Sequence, residues 1–157
     1  MIYVILAKHG DGKAMTAGIT EITASWKSEN TFVGQNSLGG LVQMGTLDGK
    51  PGVGPMQLLL VALAGCTGMD IVTILQKKQT ALSDLQVQVR GKRAEDYPMI
   101  WTEIHLTYLV WSKNVKQKDL EQAIELSENK YCSVGIMLGK SAKLTHEYRI
   151  LKPGEPA

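Results

Sequence analysis

Gly54-Pro55-Met56-Gln57-Leu58-Leu59-Leu60-Val61-Ala62-Leu63-Ala64-Gly65-Cys66-Thr67-Gly68-Met69-Asp70-Ile71-Val72-Thr73-Ile74-Leu75 is the stretch that sets the architecture. A proline at its entrance costs no hydrogen bond, because the first N–H groups of a helix have no partner in any case. The run predicts a helix over Met56–Lys78 that is apolar on nearly all sides, and such a helix belongs inside a core. Its polar end, Gln76-Lys77-Lys78-Gln79, puts cations where the helix dipole favours them. Length alone would let Met56–Leu75 cross a bilayer. Gln57, Gly65, Thr67, Gly68 and Asp70 interrupt it, however, and a carboxylate at that depth is costly in lipid. The expectation is a buried core helix and no membrane span.

Upstream, Gly18 to Asp48 reads as three short strands. Alternation over Ile19–Trp26 opens the set, and Thr31-Phe32-Val33 and Leu41-Val42-Gln43-Met44 follow between Gly/Asn/Ser turns. Asp48 to Pro55, rich in glycine and proline, reads as a loop without regular structure. Downstream come two alternating strands, in which Leu85, Val87 and Val89 oppose Gln86, Gln88 and Arg90, and Ile104, Leu106, Tyr108 and Val110 oppose their polar neighbours. Gln117–Asn129 forms an amphipathic helix, Cys132–Leu138 a second helical stretch stopped at Gly139, and Thr145–Ile150 a last strand. The order defines an α+β fold with mostly antiparallel pairing. One domain is expected over residues 18–152, with residues 1–17 as an N-terminal extension and 153–157 as a tail. A helix apolar all round needs partners all round, and one chain with two other helical stretches supplies few. A homodimer sharing its core resolves this.

The chain has 157 residues, is 44% apolar, and carries 17 basic against 15 acidic side chains. That is too apolar and too nearly neutral for disorder. With arginine only at 90, 93 and 149 and the lysines dispersed, no nucleic-acid partner is expected. The N-terminal apolar stretch, Ile2–Ala7, is too short for a secretory core, so a cytoplasmic location is expected. Gly52-Val53-Gly54 begins a dinucleotide fingerprint, but Gln57 stands where the third glycine would fall. His9, His105 and His146 lie in separate segments, and His146-Glu147 lacks a second histidine. The sequence therefore gives no metal site and no resident cofactor.

Two cysteines remain. Cys66 sits among small residues at 62, 64, 65 and 68 that leave room beside its sulfur. Asp70, one helical turn on, lies on the same face, where like-charge repulsion disfavours a thiolate. Cys132 falls where one helix ends and the next begins; a helix N-terminus and the nearby Lys130 both favour ionisation of that thiol. From the residues alone, the cysteines read first as two small buried hydrophobes, which is how free cysteine usually behaves, with a redox pair as the alternative.

The stretch Gly54–Cys66, followed much later by Asn129-Lys130-Tyr131-Cys132-Ser133-Val134, resembles the osmotically inducible protein C / organic hydroperoxide resistance (OsmC/Ohr) family, over roughly Gly18 to Ile150. The resemblance implies an intertwined homodimer, with antiparallel sheets around two long buried helices, one from each subunit. It further implies a thiol peroxidase acting in oxidative stress defence. Cys66 would attack an organic hydroperoxide and become a sulfenic acid; Cys132 would resolve it as a disulfide, reduced in turn by an external dithiol. Met56, Gln57, Leu59, Leu63, Met69, Asp70 and Val134 would line the site and favour an alkyl-bearing peroxide. Two positions depart from the family's peroxidases. Their glutamate directly after the proline is Met56 here, and no arginine precedes Arg90 to match the one in their N-terminal strands. The alternative is a non-catalytic binding or redox-sensing module on the same scaffold.

Overall fold

The computed structural model describes residues 18–157, so the reading of residues 1–17, His9 included, lies outside the described residues. The chain forms two compact units, one running through Gly52 and one from Val53 to Ala157.

In the first unit β1 (Ile22–Ser28), β2 (Thr31–Asn36) and β3 (Leu41–Met44) form an antiparallel sheet in that order, with Trp26 opposite Phe32 and Phe32 opposite Met44. Every residue of β1 is exposed, Ile22 and Trp26 among them, so its alternating pattern buries neither face within the chain. The segment after β3 is more ordered than expected. Strands β4 (Thr46–Leu47) and β5 (Lys50–Pro51) pair antiparallel across Asp48-Gly49. Both turn residues have positive φ, 51° and 72°, which is what a two-residue hairpin turn requires and what Asp-Gly supplies.

The second unit is built on α1 (Pro55–Lys77), β6 (Asp84–Arg93) and β7 (Trp101–Trp111), followed by α2 (Gln117–Leu126), α3 (Ser133–Leu138) and β8 (Lys143–Leu151). β6 pairs antiparallel with β7, Val87 facing Tyr108. β8 joins the other edge of β7 in parallel, Tyr148 beside Tyr108, a departure from the otherwise antiparallel pairing. The reason is topological: α2 and α3 make a crossover that returns the chain in the direction of β7.

Leu63, Ile71 and Leu75 of α1 meet Ile104, Leu106, Tyr108 and Val110 of β7, Leu120, Ala123 and Ile124 of α2, and Cys132 in one buried cluster. Each large apolar side chain there contributes about 1.5–3 kcal/mol on leaving water. Leu109, Trp111 and Leu151 pack on the opposite face. Within one chain α1 is not buried all round. Only Leu63, Thr67, Ile71 and Leu75, a stripe at four-residue spacing, are buried, while Val61 and Met69 are 54% and 72% exposed.

The amphipathic helix also ends early. α2 stops at Leu126, and Ser127–Tyr131 widens into a π-helical turn, a feature that often accompanies functional sites. That turn delivers Cys132 to the N-cap of α3.

Candidate functional site

Cys66 lies near the middle of α1 and Asp70 one turn further on the same face, as helical periodicity dictates. Cys132 arrives from the far side of the unit. The two Sγ atoms and an Asp70 carboxylate oxygen lie within 4.8 Å of one another. Both cysteines are free, Cys66 half-buried and Cys132 fully buried. Asp70 Oδ2 accepts a hydrogen bond from Ser127 Oγ at 2.8 Å, which ties the π-helical turn to α1. Cys132 Sγ accepts from the Gly135 N–H at 3.2 Å. Gly135 lies against both groups: a Cβ there would stand at ordinary contact distance, 3.4 Å from that sulfur and 3.5 Å from Leu63.

The electrostatics of Cys132 reverse the expectation drawn from its place at a helix N-terminus. Burial pushes its thiol up to about 12, the neighbouring Cys66 and Asp70 push the same way, and the Gly135 N–H opposes them only in part. Desolvation wins because α3 is a single short segment and the sulfur has no water contact. Lys130 gives no help; its Nζ lies over the Tyr131 ring, 5.3 Å from the centroid.

A cavity of about 440 Å³ opens beside Cys132, lined by Leu63, Leu106, Ile136 and Leu144 on its apolar side and by Thr67, Glu128 and Lys140 on its polar side. Glu128 is held by His146 Nδ1 at 2.9 Å. Burial raises the Glu128 carboxyl above the usual range, and His146 opposes the shift. Deeper still, Tyr108 is wholly buried, and its hydroxyl has no hydrogen-bond partner among the described residues. Burial, then Glu128, push the phenol up, as do Cys132 and Asp70, while Thr67 acts the other way.

Of the residues singled out in the sequence, the structure brings together Cys66, Asp70 and Cys132, with Leu63 on the cavity beside them. Val134 packs against the core. The others are engaged elsewhere. The Gln57 side chain accepts the Gly54 N–H at 2.7 Å and caps α1, and the Met56 carbonyl accepts the Trp101 indole N–H at 3.1 Å. Leu59 is exposed, and Met69 lines a separate groove with Val61, Val72 and Val87. Gly68 faces Val87 and Leu85 of β6 rather than the sulfur. His105 and His146 both find partners, Thr145 Oγ1 at 2.8 Å and Glu128. Thr67, Tyr108, Ser127 and Glu128 escaped the sequence reading. Strand alternation did place Tyr108 on the apolar face, but nothing marked any of the four as site residues.

A long core helix carrying one cysteine, packed on a three-stranded sheet and met by a second cysteine at a helix N-cap, defines an α+β dithiol protein. The family described as "OsmC-like protein" matches residues 47–147, and the chain belongs to it. Protein YhfA of Escherichia coli K12 is 34% identical over 126 residues, covering 80% of this chain and 94% of its own. A crystal structure of a hypothetical protein from Aquifex aeolicus VF5 is 36% identical with a TM-score of 0.77, over 85% of this chain and 97% of that one. The organic hydroperoxide resistance protein OsmC of Legionella pneumophila shares the fold at 13% identity and a TM-score of 0.61, over 87% and 98% of the two chains.

Proposed function

We propose that the protein is a two-cysteine reductase of organic hydroperoxides, active as a homodimer in the reducing cytoplasm. The observation that carries this reading is the approach of the two sulfurs to within 4.8 Å across α1 and the N-cap of α3. In the first step the Cys66 thiolate attacks the outer oxygen of R–O–OH. The O–O bond breaks, Cys66 becomes a sulfenic acid, and the alkoxide leaves as ROH after taking a proton. In the second, the Cys132 sulfur displaces hydroxide from the sulfenic acid, giving a disulfide and water. An external dithiol then reduces the disulfide by exchange and is itself oxidised. A disulfide bond is about 2.05 Å long, so the sulfurs have at most about 2.8 Å to close.

The fold shared with a named organic hydroperoxide resistance protein, together with membership in the OsmC-like family, supports the reaction class. The apolar lining of the cavity suits an alkyl substituent. The dimer is supported by what one chain leaves uncovered: the Val61 and Met69 face of α1 and both faces of β1. The test is a titration of free thiols before and after one equivalent of an alkyl hydroperoxide. Loss of both thiols in the wild type, and persistence of a sulfenic acid in Cys132→Ser, is the expected result. A folded protein whose Cys66 stays reduced refutes the reading.

A second reading, a binding module without turnover, is favoured by one observation. The cavity opens beside Cys132, the thiol pushed up to about 12, and Asp70 stands beside both sulfurs. In that case Cys66→Ser leaves the affinity for an apolar ligand unchanged.

A further inference from the structure

We propose that Cys66, Asp70 and Cys132 of the reduced protein form a binding site for a thiophilic divalent cation of the zinc class. This goes beyond the peroxide chemistry and does not rest on it. The donor set is one that the sequence hides, because its members come from α1 and from the N-cap of α3. Its spacing is suitable. Two thiolates at about 2.3 Å from a tetrahedral cation stand about 3.8 Å apart, within the 4.8 Å envelope that holds all three donor atoms. Cys66 and Asp70, one turn apart on a rigid helix, supply two ligands with little to order, and Cys132 closes from a separate element.

The groups around the donors fit the same purpose. Ser127 Oγ holds Asp70 Oδ2 at 2.8 Å, and the Gly135 N–H holds Cys132 Sγ at 3.2 Å. Hydrogen bonds of this kind orient carboxylate and thiolate ligands in metal sites. Among the described residues no lysine, arginine or histidine forms an ion pair with Asp70, although it is half-buried. An independent observation is the fully buried Tyr108 hydroxyl, unpartnered and within electrostatic reach of Cys132 and Asp70. Two sulfurs with one carboxylate select a soft or borderline cation over magnesium or calcium. Binding releases the two thiol protons and leaves the centre with one net negative charge.

The experiment titrates the reduced, metal-free full chain with Co²⁺ and then displaces it with Zn²⁺ or Cd²⁺. The expected result is saturation at one ion per chain, with a sulfur-to-cobalt charge-transfer band and the visible bands of tetrahedral cobalt. Asp70→Asn, which can still accept from Ser127, keeps both thiols and binds about tenfold more weakly or worse. Absence of saturable one-to-one uptake overturns the proposal. So does an octahedral spectrum without the charge-transfer band, or equal affinity in Asp70→Asn, which would mark a bare dithiol contact. If Cys132→Ser does not fold, the cobalt spectrum and Asp70→Asn still decide. No peroxide is present in this titration, so its outcome is separate from that of the thiol oxidation experiment.

Discussion

Tyr108→Phe should make the metal-free, reduced protein more stable. Tyr108 is fully buried in the middle of β7, flanked by Val87 of β6 and Tyr148 of β8, and its ring packs in the central cluster. Its hydroxyl has no hydrogen-bond partner among the described residues; the nearby Thr67 hydroxyl is engaged with the Leu63 carbonyl at 3.0 Å. A buried polar group without a partner costs about 1–3 kcal/mol in lost hydration. Phenylalanine removes the oxygen and keeps the ring, leaving only a gap the size of one atom, so a net gain of about 1 kcal/mol is expected. For a domain of this size that corresponds to a rise of about 2–4 °C in Tm. Urea unfolding at neutral pH, with the denaturant slope unchanged between variants, measures the difference. A loss of about 1 kcal/mol or more in Tyr108→Phe would show that the hydroxyl is satisfied.

Leu63→Ala, at a fully buried position between α1 and the Cys132 cavity, should cost about 3–5 kcal/mol in urea unfolding. Gly91→Ala should cost about 1–3 kcal/mol, because a Cβ there would come within 2.7 Å of the buried Trp101 ring; an unchanged midpoint would mean that the ring moves freely. The Cys132 thiol, raised from 9.0 to about 12, binds its proton more tightly in the folded chain than in the unfolded one. Its contribution to stability is therefore whole below pH 9 and is lost as pH climbs toward 12. Urea midpoints should fall more steeply with pH for the wild type than for Cys132→Ala over that window, and parallel slopes would contradict the shift.

The elements that were legible in the sequence are those whose pattern is local. α1 shows as an apolar run behind a proline, β6 and β7 as period-two alternation, and α3 as a segment halted at Gly139. The Asp48-Gly49 hairpin was not legible, because the surrounding glycines and prolines hid it among loop signals. Less could be read where direction matters. A helix apolar on every side does not say which stripe faces the core, and only the structure singles out Leu63, Thr67, Ile71 and Leu75.

The site divides in the same way. Asp70 on the face of Cys66 follows from helical spacing alone. The meeting with Cys132 depends on the length of the β6–β7 hairpin, on the α2 crossover and on a π-helical turn that no periodicity announces. Charge on Cys132 was misjudged because a helix N-terminus and a lysine are visible in the sequence, whereas desolvation is not. In the fold, burial outweighs both.

Proteolytic mapping of the protein after exposure to one equivalent of an alkyl hydroperoxide tests the central claim most directly. The predicted product is a cross-linked pair of peptides joining Cys66 to Cys132 within one chain, absent from the untreated protein and released by a dithiol. Recovery of both peptides as free thiols, or of cross-links only between different chains, would contradict it.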